Sequence, residues 1–170
     1  MELLLRRRSI RKFQDREVPL EVLIKIVNVA RHAPSGKNRQ PWEFIIITDE
    51  DILKRLGNAR RPSSEPLLNA KAAIAIVTDP NTPTHIEDGA CVAIYVWLAA
   101  VSMGLGAVWI NPGGVKEMYE ILGLPEGRHL HSIIAIGWPA EKPKPKRLKR
   151  LSELVHINTY GNKLKEEVSL

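Results

Sequence analysis

The sequence contains a single cysteine, Cys91, in 170 residues. One thiol cannot form an intramolecular disulfide, and it cannot supply the several thiolates of a structural zinc site. The first residues are charged and lack the apolar core of a secretory signal peptide. Both absences favour a protein that works in the reducing environment of the cytoplasm, which is the location we expect.

Aromatic residues are also scarce, at 5% of the chain, whereas Lys and Arg outnumber Asp and Glu by 25 to 19. The excess of positive charge is modest but clustered, which favours an anionic partner. A protein that binds nucleic acid usually offers aromatic platforms or a recognition helix as well as cations. We therefore expect no nucleic-acid partner, and a basic nucleic-acid-binding domain stays as the less favoured alternative.

Charged residues are missing altogether from the segment 89–115. A bilayer is crossed by about 20 apolar residues, so this segment is long enough to span one. Gly104 and a Pro-Gly-Gly turn at 112–114 interrupt it, however. A buried helix at 86–103 followed by a buried strand at 107–110 accounts for the same residues, and we expect no membrane span.

The remaining patterns predict one α+β domain over residues 1–170, with helices around a small sheet. Thr48 and Asp51 have the spacing of a capping box, which would begin the third helix. The predicted helices are 2–8, 19–32, 49–58, 86–103 and 115–122, and the predicted strands are 42–48, 72–78, 107–110 and 131–138.

A basic cluster near the start, Arg7, Arg8, Ser9 and Arg11, is the first candidate for binding chemistry. Guanidinium groups bind phosphate through two hydrogen bonds at once, and a serine hydroxyl can donate one more. A phosphate monoester is nearly a dianion, so such a cluster suits it. The alternative interpretation is a solvated basic end of a helix.

Three further segments could contact a ligand. The loop at 34–38, PSGKN, has small residues that allow a close backbone approach, and the turn at 111–114, NPGG, follows a buried strand. The segment 142–150, KPKPKRLKR, is held extended by its prolines, which presents its cations to a partner. Their alternative interpretations are a connecting loop, a tight turn and a solubilising tail.

No catalytic residues are predicted, because the sequence contains no Ser-His-Asp order and no paired-carboxylate motif. His129 and His131 would share one strand face without a third ligand nearby, so no metal site is expected. If the protein is an enzyme, a cofactor would supply the reactive group.

Five stretches together resemble the FMN-dependent nitroreductase family, of which this chain would be a short member. They are RRRSIRKF, ARHAPSGKNRQPWEFIIITD, GLGAVWI, LPEGRHLHSIIAIGWPAEKPKPKR and LVHINTYGN, in the family's order and spacing over nearly the whole chain. The resemblance implies an intertwined homodimer with a small mixed or antiparallel sheet flanked by helices. It also implies that residues 143–170 form an extended arm around the partner subunit.

The resemblance further implies two FMN molecules at the dimer interface, each held by both chains. The residues implied in cofactor binding are Arg7, Arg8, Ser9, Arg11, Pro34, Ser35, Gly36, Asn38, Ile110, Asn111, Pro112, Gly113, Arg147 and Lys149. The arginines, Ser9 and the C-terminal cations would hold the phosphate and ribityl chain. The loop at 34–38 would come from the other subunit, and residues 110–113 would line the flavin ring with a backbone N–H toward its hydride-accepting nitrogen.

By resemblance, the protein would take a hydride from NADH or NADPH and reduce an electron-poor small molecule such as a nitroaromatic or a quinone. A flavin-binding or flavin-modifying protein without reductase turnover is the alternative. The sequence departs from the family at the Asn-Pro-Gly-Gly turn and at Tyr95, where relatives often have Asn, and it lacks the helical insertion of larger members. These departures concern the choice of substrate more than flavin binding.

Overall fold

The computed structural model describes residues 1–165 of the chain. The elements are α1 (Glu2–Arg6), α2 (Leu20–Ala30), β1 (Trp42–Ile47), α3 (Glu50–Ala59), β2 (Ala72–Thr78), α4 (His85–Ser102), β3 (Gly106–Ile110), α5 (Lys116–Ile121), β4 (His129–Gly137) and α6 (Leu151–Leu154). Short 3₁₀ turns lie at Gly36–Asn38 and Glu65–Leu68. The α+β architecture predicted from the sequence is confirmed.

The four strands form one sheet in the order β1-β2-β4-β3, and each neighbouring pair is antiparallel. The central strands β2 and β4 are rich in Ile and Ala, and all seven residues of β2 are buried. A strand with this composition suits the middle of a sheet because helices cover both of its faces.

The two faces of the sheet build two separate apolar clusters. Alternate residues of a strand point to opposite faces, so Ile74 and Ile134 pack with α2 and α4 on one side. Ala75 and Ile133 pack with α3 and α5 on the other side. Helix α4 corresponds to the first part of the uncharged segment. Among residues 1–165, no helix is both long enough and apolar enough to cross a membrane.

The start of α3 differs from the prediction. Asp49 is the N-cap, and its Oδ1 accepts a hydrogen bond of 2.9 Å from the Ile52 N–H. The capping box placed at Thr48 and Asp51 is therefore wrong by one residue. Asp49 has the extended backbone (φ −72°, ψ 122°) that an N-cap requires, and Thr48 only links the end of β1 to it.

The N-terminal segment extends the sheet beyond β3. Ser9 forms a parallel bridge with Ala107, and the Ile10 N–H donates to the Ala107 carbonyl at 3.0 Å. Gly106 makes this approach possible, since a Cβ there would lie 2.7 Å from the Ile10 side chain. The basic cluster is thereby fixed along the edge of the sheet.

Candidate functional site

A cavity of about 540 Å³ opens where the N-terminal segment and β3 diverge. Its lining residues come from the N-terminal segment, the α3–β2 connection and the end of β3: Arg11, Lys12, Arg60, Pro62, Ser63, Glu65, Pro66, Asn69, Val108, Trp109, Ile110 and Asn111. The structure thus brings together Arg11, Ile110 and Asn111, which the sequence separates by about 100 residues. This volume lies within the range of roughly 300–1,000 Å³ that is usual for small-molecule sites.

The turn after β3 is ordered by its own side chain. The Gly113 N–H donates to Asn111 Oδ1 at 2.8 Å, and Gly113 has φ +63°, a conformation that favours glycine. Pro112 is buried and has no N–H. The backbone donor that the family resemblance implies for a flavin nitrogen is therefore not free at Gly113 and does not exist at Pro112.

The other two arginines of the basic cluster turn away from this cavity. Arg8 Nη2 donates to the Lys144 carbonyl, so the two ends of the chain lie side by side. The guanidinium of Arg7 lies 4.3 Å from the ring centre of Trp97 on α4, which is a cation–π contact. Glu141 strengthens the same junction, since its Oε1 accepts from the backbone N–H of Arg11 at 2.5 Å and of Lys12 at 3.2 Å.

Cations crowd one another at this junction. Partial burial and then the charge of Arg8 lower the pKa of Arg7. The charge of Arg7, then burial and then Arg8 lower the pKa of Lys146. Like charges held this close disfavour their own protonated forms, and a bound dianion would remove that penalty. The residues present at the junction therefore fit a phosphate group.

Lys146 is a member of this junction that the sequence prediction missed. Arg147 and Lys149 were chosen instead, and both are exposed and form no ion pair within residues 1–165. The segment contains several overlapping basic-x-basic patterns, so the spacing alone could not select between neighbouring cations. Ser9 lies next to the junction and is half-buried.

The loop at 34–38 is held by a buried carboxylate on α4. Asp88 Oδ1 accepts from the Gly36 N–H at 2.9 Å, and its Oδ2 accepts from the Thr84 hydroxyl at 2.7 Å. Asp88 is only 5% exposed. A Cβ on Gly36 would lie 2.7 Å from the Thr84 hydroxyl, so this contact requires glycine. The sequence does contain a signal for this pair, a Thr and an Asp four residues apart at the start of an apolar helix.

The same loop adopts a strained shape. Lys37, Asn38 and Gln40 have positive φ angles of 54°, 55° and 49°. The Ser35 hydroxyl accepts from the Gln40 N–H at 3.0 Å, which closes the loop on itself. Residues 34–38 do not line the cavity beside Arg11 of their own chain. Such a conformation persists only when surrounding contacts impose it, and functional loops often store strain of this kind.

Three histidines meet at the N-terminal end of β4. The ring of His129 lies 5.4 Å from that of His85 and 6.3 Å from that of His131. Burial, followed by the charge of a neighbouring histidine, lowers the pKa of both His129 and His131. No group of three His, Cys, Asp or Glu side chains in the described part of the chain has a geometry that could hold a metal ion.

Comparison with known proteins identifies the fold. A model of the Nitroreductase family matches residues 4–72 and 59–138, which is most of the chain. The protein belongs to the nitroreductase family. An FMN-dependent nitroreductase from Clostridium difficile R20291 has a similar structure, with a TM-score of 0.86, 35% identity and coverage of 93% of this chain and 98% of that one.

Two other relatives of the nitroreductase family differ in their named activities. An Archaeoglobus fulgidus protein, provisionally named as an NADH dehydrogenase/NAD(P)H nitroreductase, is 32% identical over 84% of this chain and 86% of its own length. An iodotyrosine deiodinase from Thermotoga neapolitana is 29% identical over 91% of this chain and 95% of its own length. The names of these two relatives thus refer to different reactions.

Proposed function

We propose that this nitroreductase-family protein is an FMN-dependent oxidoreductase. It takes a hydride from NADH or NADPH and passes electrons to a nitroaromatic, a quinone or a similar electron-poor small molecule. The two substrates bind in turn, in a ping-pong sequence. Two electrons and two protons convert a nitro group to a nitroso group plus water, or a quinone to a hydroquinone. The observation that carries the proposal is the crowding of Arg7, Arg8 and Lys146 at the junction where the two chain ends lie side by side.

Bound FMN would supply the redox chemistry, by accepting a hydride and giving up electrons at its ring system. The chain's own residues would bind the FMN and orient its ring. Arg7, Arg8 and Lys146 hold the phosphate, with Ser9 donating a further hydrogen bond and Arg147 and Lys149 adding charge nearby. Arg11 reaches the neighbouring cavity, where its fixed positive charge stabilises negative charge on a reduced ring. Ile110 and Asn111 form the wall of that cavity and shape it for a flat ring.

We infer that the site is completed by a second copy of the chain, which would supply Pro34, Ser35, Gly36 and Asn38. The support is apolar surface that one chain leaves uncovered at three places. Leu4 on α1 is 61% exposed, Tyr95 on α4 is 37% exposed, and Leu148 in the C-terminal arm is 80% exposed. Apolar surface of this extent on one protein usually marks an interface.

The C-terminal arm, proposed as residues 143–170 of the single domain, adds further exposed apolar side chains to this surface. Leu151, Leu154 and Ile157 are also exposed. Residues 156 and 163 form an isolated antiparallel bridge, so the end of the arm folds back on itself. We propose that it wraps the partner subunit. Residues 166–170 of the proposed arm lie outside the described residues.

The visible absorption spectrum of the pure protein tests the proposal. We expect flavin bands in the protein as purified or after addition of FMN, and bleaching of those bands by NADH or NADPH under anaerobic conditions. A nitroaromatic or a quinone should then restore the oxidised spectrum. The Arg11→Ala variant should retain FMN less well, whereas Arg55→Ala on the exposed face of α3 serves as a charge-matched control.

Two results would contradict parts of the proposal. A protein that is colourless after incubation with FMN and removal of the free FMN is not a flavoprotein. A yellow protein that neither nicotinamide bleaches binds flavin without reductase turnover, which is the alternative function. Because a deiodinase is among the relatives, 3-iodotyrosine belongs in the acceptor panel, and release of iodide would identify reductive deiodination as the activity.

A further inference from the structure

Arg60 lies at the C-terminal end of α3 and lines the same cavity as Arg11. Its Nη1 donates to the Asn111 carbonyl. Its guanidinium also covers Gly113, since a Cβ at that glycine would lie 2.7 Å from the central carbon of the guanidinium. A cation is thereby placed directly against the turn that follows β3, at the wall of the candidate site.

The backbone of Arg60 is held by a buried hydroxyl. Ser64 is fully buried, and its Oγ accepts from the Arg60 N–H at 3.1 Å and donates to the Gly57 carbonyl at 2.8 Å. The Ser64 N–H in turn donates to the Arg60 carbonyl at 3.1 Å. Three hydrogen bonds thus fix where the side chain of Arg60 leaves the helix, so its position in the cavity is built into the fold.

The positive charge of Arg60 has no carboxylate partner within residues 1–165. Glu65 is the one carboxylate among the cavity-lining residues, and it is paired with Arg61 instead. Arg11 and Lys12 add two further cations to the lining. A half-buried guanidinium that binds one backbone carbonyl still has N–H groups to offer to a ligand.

We propose that Arg60 forms an anion-binding subsite that selects acceptors carrying a carboxylate or a similar planar anionic group. This inference rests on the proposed function and names the class of its second substrate. The guanidinium binds the anionic group through paired hydrogen bonds, which orients the acceptor against the flat ring that Ile110 and Asn111 would line. Arg60 acts as a specificity residue, since its contact is with the part of the acceptor that does not react.

Two nitroaromatic acceptors that differ in charge test the subsite. 4-Nitrobenzoate is an anion and 4-nitrobenzamide is its neutral counterpart of nearly the same shape. The ratio of their kcat/KM values is measured for the wild type and for Arg60→Gln. Comparing the ratio between the two proteins cancels the difference in reduction potential between the acceptors. We expect the ratio to fall by about tenfold in Arg60→Gln, through loss of a charge-assisted hydrogen bond.

Two further variants separate charge from loop order. Arg60→Lys keeps the charge and should retain part of the preference for 4-nitrobenzoate. Arg55→Gln removes an exposed cation of α3 that does not line the cavity, and it should leave the ratio unchanged. Equal losses for both acceptors in Arg60→Gln would mean that Arg60 orders the turn at Asn111 and does not select charge, which would overturn the inference.

Two binding measurements distinguish this inference from the proposed function. Calorimetry of 4-nitrobenzoate with the FMN-loaded protein needs no turnover. One possible result is that Arg60→Gln weakens the binding of 4-nitrobenzoate although neither NADH nor NADPH reduces the flavin. That result would support the anion subsite and refute the reductase activity. Turnover of both acceptors without any preference for the anion would support the reductase activity and refute the anion subsite. A drop in the preference for FMN over riboflavin in Arg60→Gln would assign Arg60 to the cofactor phosphate and overturn the inference.

Discussion

The centre of the sheet and the two chain ends use their side chains in opposite ways. In β2 and β4 nearly every residue is buried, and each strand pairs with a neighbour on both sides. At the ends, Leu4 and Leu148 face solvent, and Arg7 lies close enough to lower the pKa of Lys146. In the centre, one chain buries its apolar side chains and pairs its backbone hydrogen bonds. At the ends, apolar side chains stay exposed and cations lie close together.

This difference separates stability from function. Burial in the sheet interior stabilises the chain whether or not a ligand is present. The ends carry a cost in one isolated chain, because apolar surface is exposed and cations repel, and both costs fall when a partner chain and an anion bind. Substitutions in the centre should therefore change folding, and those at the ends should change cofactor binding.

The largest effect is expected at Ile134, a fully buried residue of β4. The Ile134→Ala variant leaves a cavity in the tightly packed interior and should lower the free energy of unfolding by about 2–5 kcal/mol. Urea denaturation of dilute protein measures it. Leu148→Ala in the arm should cost less than about 1 kcal/mol in the same experiment and should weaken FMN binding instead. Equal destabilisation by the two variants would remove the distinction between centre and ends.

A smaller effect is expected at Asp88, which holds the loop at 34–38 against α4. The Asp88→Ala variant leaves the Gly36 N–H without its acceptor and frees the loop at 34–38. FMN affinity should fall by about 1–3 kcal/mol, the usual cost of an unsatisfied buried group. Flavin fluorescence titration gives the affinity, and far-ultraviolet circular dichroism controls for folding. Thr84→Val, which removes only one of the two hydrogen bonds, should lie between Asp88→Ala and the wild type; an unaltered FMN affinity in Asp88→Ala would refute the positioning role.

Lys146→Gln should have a more selective effect. It removes one exposed cation from the junction and should weaken FMN binding only a few-fold, because a solvated ionic contact contributes little. Riboflavin lacks the phosphate, so its affinity should not change. Lys116→Gln on α5 is the matched control, because Lys116 is exposed and paired with Glu120. A parallel loss for FMN and riboflavin would place Lys146 away from the phosphate.

The smallest effect concerns pH and the histidines of β4. Burial and then the charge of His129 hold the pKa of His131 below its ordinary value of 6.5. The unfolded chain therefore binds a proton first as the pH falls below 6.5, and the folded state loses stability in that range. The thermal midpoint should fall between pH 7 and pH 5, and the fall should be smaller in His131→Gln. Identical pH dependence in both proteins would exclude His131 as its source.

Much of the fold could be predicted from the sequence because the central strands are continuous apolar runs. The strand at 72–78 was predicted with its observed bounds, since Asp79 and the residues after it end the run clearly. The cap of α3 was misplaced, because Thr48, Asp49 and Asp51 are all acceptable caps and only the backbone direction after β1 selects Asp49. Local patterns thus located the elements but not all of their ends.

The candidate site was less accessible, because its partners are distant in sequence. The contact of Arg60 with the turn at Asn111 and Gly113 depends on how α3 packs beside β3. Asp88 lies within an apolar helix, where its role depends on a loop about 50 residues earlier. The roles of the loop at 34–38, of Arg147 and of Lys149 stay predictions, since they concern a second chain and a cofactor.

The most direct test of the account is a titration of the flavin-free protein with FMN and with riboflavin, with the molar mass measured alongside. We expect a dimer that binds one FMN per chain. It should bind FMN far more tightly than riboflavin, because the cations at both chain ends bind the phosphate. Equal affinity for the two flavins, or a monomer that binds FMN as tightly as a dimer does, would contradict it.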